Sequence, residues 1–560
     1  MRRATSDFPP ERRPLSTSSP ERESRPCLCG RSPILSPPPA ISRSPQPRGL
    51  GSRWKASYDR LGLSTLSITY VIADYKFSLW GLERRPVDHH NKLLEVHLRS
   101  AQRLLKLCET NKGFYVKAGQ FVSSLRQVPK EYSSTFSTLQ DKAVPCPFED
   151  IKEVIARNLG KNFTDLFYSF DEKPIAAASI AQVHHALLRD RQEVAVKVQY
   201  PGLQQQLTVD LRTMAVLSSF VSQIFPDYRL EWMVSEFKRT LSSELDFLQE
   251  AKNAERTARN FKTKKIIKVP HVFWDLTTKQ VLTMQFFHGQ KIDDVEFLKD
   301  SGIDPGKVAK TLVELFSEMI FIHGFVHGDP HPGNILVSPD GYQGFSLIIL
   351  DHGIYRELDE EFRTDYCRLW KALVLMDSPT IHEIGGRFGL GQYAKYLPVI
   401  FTGRTLESKS NLGKQMPAEE KRELRRELLA LKMGDISSFM ESMPPDFLTV
   451  LRTDGQLRSI MGRLGAPARV RLLSYARFAA CGLSSKHRNE NAYLFDQIIS
   501  GITTRASYLH LRFLLEILEL LSRLESLGHS ILVKVKWLLP RMAHFTNLSR
   551  RTLLADAQMI

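Results

Sequence analysis

The residues able to do chemistry cluster between positions 325 and 353. Asp329 and Asn334 lie in Phe325-Val-His-Gly-Asp-Pro-His-Pro-Gly-Asn-Ile-Leu-Val337, and Asp351 lies in Leu350-Asp-His-Gly353. An Asp, an Asn five residues later and a second Asp stand in the order that phosphoryl transfer from ATP needs. The first Asp faces the acceptor hydroxyl, while the Asn and the second Asp hold Mg²⁺, which neutralises the phosphates. The alternative is a polar loop whose Asp residues cap helices or fill turns. That alternative does not explain two Asp and one Asn framed by two apolar runs.

Those runs position the set. Ile335–Val337 leaves the loop, Ser338-Pro-Asp-Gly341 is a turn signal, and Phe345–Leu350 returns. The expected hairpin brings Asp351 back beside Asn334. Upstream, Ile180–Leu188 and Gln192–Gln199 read as two strands joined by Arg189-Asp-Arg191. Alternation in Val194-Ala-Val-Lys-Val198 puts the valines on one face and Lys197 on the other, where its ammonium can meet the α/β-phosphates. Such a lysine needs a carboxylate to hold it. Glu244-Leu-Asp246-Phe-Leu-Gln-Glu250 offers three. Read as one helix at about 100° per residue, it sets Asp246 and Glu250 about 40° apart and Glu244 about 120° from Glu250. One helix would then serve two basic partners; a solvated acidic face fits the sequence equally well. Before the lysine strand there is no Gly-x-Gly-x-x-Gly. Pro174-Ile-Ala-Ala-Ala-Ser179 stands there, small enough to approach phosphates but stiffer than glycine.

The whole chain supports this frame. Its 560 residues allow three or four domains, and 42% hydrophobic with 25% charged residues is a globular composition. The net charge of +16 suits a polyanion. Part of that excess is in residues 1–55, which hold eleven Lys/Arg against four Asp/Glu. No basic–aromatic patch, zinc-finger or RNA-binding signature accompanies it, so nucleic acid is not an expected partner. Six cysteines without a CxxC pair argue for reduced thiols and against structural zinc. The Ser/Pro/Arg-rich residues 1–55 are expected to be disordered and to act as an organelle transit peptide, mitochondrial first and plastid second. No apolar run of about 20 residues supports a spanning helix. Leu61–Leu82 comes nearest, interrupted by Asp74 and Lys76, and reads as a packing helix ahead of a membrane-surface one. Residues 148–168 read as a helix closed by Gly160, and the chain beyond Asp351 reads as helical. Leu511–Leu521 and Ile531–Leu539 read as core-packing helices, with contact to anionic lipid as the second reading.

Five strings together resemble one family. They are Lys117-Ala-Gly-Gln120, Ala176-Ala-Ala-Ser179, Val194-Ala-Val-Lys-Val-Gln-Tyr-Pro-Gly202, Glu244-Leu-Asp246 and His327-Gly-Asp-Pro-His-Pro-Gly-Asn334. By them the chain resembles the UbiB, or AarF-domain-containing, atypical kinases, over roughly residues 55–400. The resemblance implies an α+β, protein-kinase-like bilobal fold with an N-terminal helical extension and a long helical C-terminal region. The division expected is 1–55 leader, 56–172 helical extension, 173–288 small lobe, 289–400 large lobe and 401–560 helical extension. It implies a weak Mg-ATP-dependent phosphotransferase or ATPase in organelle lipid and isoprenoid homeostasis of the coenzyme Q type, peripheral to a membrane or soluble. By the same likeness Lys117 and Gln120 fold over the active site, and Glu244 and Asp246 receive Lys117. Glu250 pairs with Lys197, and Ala176, Ala177, Ala178 and Ser179 cover the nucleotide. Asp329 is the catalytic Asp, and Asn334 and Asp351 hold Mg²⁺.

Two departures from ordinary protein kinases bear on function. His352 stands where Asp-Phe-Gly has Phe, and no Ala-Pro-Glu or activation loop follows Asp351. A peptide substrate has little to dock on, and Lys117 and Gln120 are expected to take its place. The competing expectation to an enzyme is a nucleotide-gated binding module for lipid or protein. Antibiotic- and choline-type phosphotransferases share the His-Gly-Asp string but lack the Lys-x-Gly-Gln helix.

Overall fold

The computed structural model describes residues 50–81, 86–124, 128–139, 145–178, 180–226, 231–340, 344–405, 416–430, 438–439, 441–485 and four positions between 506 and 516. The leader before residue 50, Ser179, most of Leu511–Leu521 and all of Ile531–Leu539 lie outside the described residues.

The smaller sheet grows from the valine alternation. Strands Phe167–Phe170, Ala181–Leu188, Glu193–Gln199 and Val281–Gln285 are antiparallel neighbours in that order, and Ala176–Ala177 also pairs with the second. Val194, Val196 and Val198 are fully buried on one face, against Ile151, Val154 and Ile155 of helix Phe148–Leu159. Full burial of each such side chain contributes about 1.5–3 kcal/mol. That helix begins after Pro147 with Glu149 and Asp150 in its first turn, and Gly160 ends it in the left-handed conformation (φ 62°). The periodicity had extended the helix to 168. Instead Phe167–Phe170 is an edge strand, the Phe170 ring packing edge-on and the Phe167 ring tilted against Phe163. Strand Val281–Gln285 also meets the stretch at 269–274 across the turn between them. It does so only through one bridge, Val272 to Met284.

The opposite face of the sheet carries Lys197, paired in register with Val183 and Leu282. Helices cover this face: Phe114 and Phe121 of helix Phe114–Ser124, Phe237 of helix Glu231–Glu244 and Phe247 of helix Phe247–Asn260 share one core with Leu282 and Met284. The N-terminal helices are therefore built onto the small sheet. Helix Leu50–Leu79, which contains most of the Leu61–Leu82 stretch, buries Ser64 and Val71 but leaves Leu66, Tyr70 and Phe77 exposed. No described helix is long and apolar enough to cross a membrane.

The larger half centres on helix Pro305–Glu318, capped by Asp304 with Pro305 in the first turn. A π-helical turn, Met319–His323, and the left-handed Gly324 (φ 58°) then deliver strand Phe325–His327. The expected hairpin forms as Ile335–Asp340 against Gly344–Ile349, with Ile335 opposite Ile349. Beyond Asp351, a short strand Tyr355–Glu357 interrupts the expected helix and pairs with Phe325–His327. Helices Pro445–Arg463 and Ala468–Ser485 supply Phe447, Val450, Leu457, Ile460 and Tyr475 to the cores around Phe316, Phe321 and Trp370. Both helices thus pack into the same cores as helix Pro305–Glu318 and the residues around Trp370.

Candidate nucleotide site

The string at 327–334 folds into a loop wired by one histidine. His327 donates from Nε2 to the Asp351 carbonyl at 2.7 Å and accepts the Asp329 amide on Nδ1 at 3.0 Å. A ring that donates once and accepts once is neutral, and burial accordingly holds its pKa below the ordinary histidine value. His327 thus ties the two aspartates through their backbones. Asn334 donates from Nδ2 to the Asp329 carbonyl at 3.1 Å, and the Leu350 amide donates to the Asn334 carbonyl at 2.9 Å. The hairpin therefore sets Asp351 one residue past a contact with Asn334. The Asn334 amide group spends its donor on Asp329, which leaves its oxygen as a ligand atom.

Lys197 meets this loop from the sheet. Its Nζ lies 2.7 and 2.9 Å from the two Glu250 oxygens and 3.3 Å from Asp351 Oδ2. Burial alone would lower the ammonium, but the Asp351 and Glu250 carboxylates outweigh it and hold its pKa above the ordinary lysine value. Asp351 moves the other way: against its burial, Lys197 and the Gly353 amide, 2.9 Å from Oδ1, hold it well below the usual carboxylate range. Two carboxylates share one ammonium, and burial together with Asp351 pushes Glu250 up despite Lys197.

Glu250 sits on a helix face that also carries Asn253 and Thr257, three and seven residues on. Asn253 Nδ2 donates to the His352 carbonyl at 3.0 Å, and Thr257 Oγ1 hydrogen-bonds the Tyr355 hydroxyl at 2.9 Å. His352 in turn donates to the Ile349 carbonyl and accepts from Tyr355. Burial pushes its pKa down to about 3, so the ring is neutral. The residue in the place of Phe is a buried hydrogen-bonded hub.

The acidic stretch is not one helix. Helix Glu231–Glu244 ends at Glu244, and Asp246 caps the next helix, accepting the Leu248 and Gln249 amides on its side chain. The break turns Glu244 into the cleft, where it meets Lys117 Nζ at 2.8 Å. A Cβ on Gly353 would lie 3.6 Å from Glu244 and 3.7 Å from Glu250, so both glutamates converge there. Asp246, expected to help receive Lys117, is occupied as a helix cap. An Asp just before an apolar helix start is the N-cap signal that the continuous-helix reading passed over. For Lys117, burial is outweighed by the carboxylates of Glu244, Asp329 and Asp351, which leave its pKa above the ordinary value. Gln120, three residues on, donates to the Leu139 carbonyl at 2.9 Å within the helical extension. Ala176 and Ala177 form the short strand beside Gln182 and Val183, and the Ala178 carbonyl accepts from Tyr200. Ser179 falls outside the described residues.

Two contacts have no counterpart in the sequence reading. Arg452 donates from Nε and Nη2 to the Gly328 carbonyl at 3.1 and 2.9 Å, and Gln456 Nε2 donates to Asp329 Oδ1 at 2.8 Å. Both come from helix Pro445–Arg463, one turn apart. Mg²⁺ is commonly held by one or two protein groups together with substrate phosphates. An ionised Asp351 and the Asn334 oxygen suit that arrangement. No group of three or more His, Cys, Asp or Glu able to hold a metal by themselves occurs among the described residues.

Residues 138–385 match the family model described as the ABC1 atypical kinase-like domain. The chain is 38% identical over 485 residues to AarF domain-containing protein kinase 1 of Xenopus laevis, covering 86% of this chain and 92% of that one. It is 38% identical over 443 residues to the Mus musculus protein of the same name, covering 78% and 84%. With the probable serine/threonine-protein kinase abkD of Dictyostelium discoideum it shares 36% identity over 477 residues, covering 83% and 68%.

Proposed function

The chain belongs to the AarF-domain, or UbiB, family of atypical kinases, and from that premise we propose that it is a Mg-ATP-dependent phosphotransferase whose basal reaction is ATP hydrolysis. The observation that carries the reading is the convergence of Lys197, Glu250 and Asp351 within 3.3 Å, beside a loop that holds Asp329 and Asn334. In this reading Lys197 grips the nucleotide phosphates and Glu250 holds Lys197. Asp351 and Asn334 hold Mg²⁺, which neutralises phosphate charge. Asp329 accepts the proton of the attacking hydroxyl. Ala176, Ala177, Ala178 and Ser179 cover the nucleotide.

A second reading is favoured by one contact. The Lys117–Glu244 pair lies in the field of Asp329 and Asp351. A cleft so restrained suits a slow ATPase whose nucleotide state gates a lipid or protein surface. The exposed Leu66, Tyr70 and Phe77 make a membrane face one such surface. A role in mitochondrial lipid or isoprenoid homeostasis follows from the family likeness.

The test is ATP consumption by the full chain with Mg²⁺, with and without anionic liposomes, beside Asp329→Asn. Turnover that is lost in the variant is the expected result. Tight Mg-ATP binding without turnover in either condition would replace the enzyme by a nucleotide-gated module.

A further inference from the structure

Gln456 is placed to do more than hold a loop. Its Nε2 donates to Asp329 Oδ1 at 2.8 Å, while its Oε1 is buried and accepts no hydrogen bond from any described residue. A buried amide oxygen without a donor is costly, and so calls for a partner. Such an atom, fixed beside a carboxylate that is the expected proton acceptor, is a receptor for an O–H group. The amide cannot turn over to relieve itself, because that would set Oε1 against the Asp329 carboxylate. Asp329's other oxygen is only loosely engaged, 3.5 Å from Asn334 Nδ2. One acceptor on Gln456 and one on Asp329 are thus free to take the two protons of a single water.

We infer that Gln456, from the C-terminal helix, orients the attacking water against Asp329. The inference rests on the reading of Asp329 as the base. The water donates one hydrogen bond to Gln456 Oε1 and the other to Asp329. Its oxygen attacks the γ-phosphorus, and its proton passes to the Asp329 carboxylate. The bond from that phosphorus to the β–γ bridging oxygen breaks, and its electron pair leaves with ADP. The products are ADP and inorganic phosphate. An amide that aims a water in this way contributes by orientation, since there is little covalent chemistry for the protein to perform. Water is the acceptor that fits, because Gln456 is bonded to Asp329 and the Lys117–Glu244 pair lies close enough to act on it. Arg452, one turn earlier, clamps the Gly328 carbonyl and fixes the helix against the loop, so that Gln456 is held in place.

The experiment measures ATP hydrolysis and nucleotide affinity of the full chain in buffer free of alcohols. The variants are Gln456→Ala, the near-isosteric Gln456→Met, Asp329→Asn and the Asp329→Asn/Gln456→Ala double. Ser459→Ala, on the exposed side of the same helix, is the control expected to behave as wild type. Both Gln456 variants are expected to lose about 10- to 100-fold in kcat, less than the loss of a general base. Their KM and Kd for Mg-ATP are expected to stay unchanged, the signature of an interaction made in the transition state. The double variant is expected to be no slower than Asp329→Asn alone, because the two act as one unit. If Gln456→Ala melts early, Gln456→Met decides, since it keeps the volume and loses the amide oxygen. A wild-type kcat in Gln456→Met, or a raised KM with kcat intact, overturns the inference and leaves the assignment of Asp329 standing. Full turnover in Asp329→Asn, or none in the wild type, overturns that assignment and the inference with it.

Discussion

Two half-buried lysines face the same aspartate, and they are held very differently. Lys197 comes from the middle of a sheet strand and grips Glu250 through both carboxylate oxygens while touching Asp351. Its partner helix is tied a second and third time to the metal-loop segment through Asn253 and Thr257. Lys117 comes from the added helix Phe114–Ser124 and meets Glu244 at one oxygen. That contact is an ion pair without hydrogen-bond alignment, for Glu244 Oε1 is otherwise a buried acceptor lacking a donor. Glu244 itself ends a helix, where the last turn is the least constrained. The first pair is built like scaffold and the second like a latch. Charge alone does not separate them, since both ammonium groups are held above the ordinary lysine pKa by nearby carboxylates. What separates them is the number of directed bonds that fix each partner.

The largest effect is expected from Lys197→Ala. It removes the proposed phosphate grip and leaves Glu250, which is 1% exposed, with no cation. Losing one partner of a buried pair typically costs about 3–5 kcal/mol. Protonation of Glu250 offsets part of that, because burial already raises its pKa. The variant is expected to lose Mg-ATP affinity by at least about 100-fold, which corresponds to about 2.7 kcal/mol, and to melt at a lower temperature. Titration calorimetry and a thermal scan check both. Native affinity would mean that the scaffold pair is not the phosphate clamp and that the contrast between the two lysines has been drawn the wrong way round.

Lys117→Ala is expected to be milder and different in kind. Its partner is also buried, but the pair lacks aligned hydrogen bonds, so the expected stability loss is about 1–2 kcal/mol. Nucleotide binding should survive. The ratio of ATP to ADP affinity should change, because the ammonium that acts on Asp329 and Asp351 is gone. Competition binding with the two nucleotides reads this directly. An unchanged ratio would count against Lys117 acting over the cleft and would make it a second piece of scaffold.

The same contrast explains what the sequence could show. Asp329, Asn334 and Asp351 were legible because one hairpin holds them, and local spacing with strand alternation is enough to define it. Lys197 was legible for the same reason, as the odd residue of a valine strand. Residues joined across long separations were not legible from spacing, and the pairings of Lys197 with Glu250 and of Lys117 with Glu244 came from the family likeness. Glu244, Asp246 and Glu250 are close in sequence, but a break in the backbone at 245–246 decides which of them enters the cleft. Arg452 and Gln456 reach the loop across more than 120 residues, on a helix with no string that marks it. Their only sequence sign is a polar run, Arg452-Thr-Asp-Gly-Gln456, in a helix whose flanking turns bury Val450, Leu457 and Ile460. Buried polar groups of that kind require partners, yet spacing cannot say where they are.

The smallest effect should come from Gln120→Ala, and it tests whether the latch is one residue or a whole motif. Gln120 lies one turn beyond Lys117 on the same helix, so the two were expected to act together over the cleft. In the structure Gln120 donates to the Leu139 carbonyl. Its neighbour Gly119 lets that helix approach so closely that a Cβ there would strike the Leu139 side chain at 2.4 Å. Gly119 and Gln120 therefore fasten the helix to the 137–139 turn, and Lys117 alone reaches the acidic residues. Gln120→Ala deletes one hydrogen bond to a part-buried carbonyl, worth about 1 kcal/mol. Stability should fall by about that much, with the ATP/ADP ratio and turnover unaltered. A changed ratio, matching that of Lys117→Ala, would show that the cleft feels the position of the whole helix. The latch would then be the packed helix, with its ammonium as the tip.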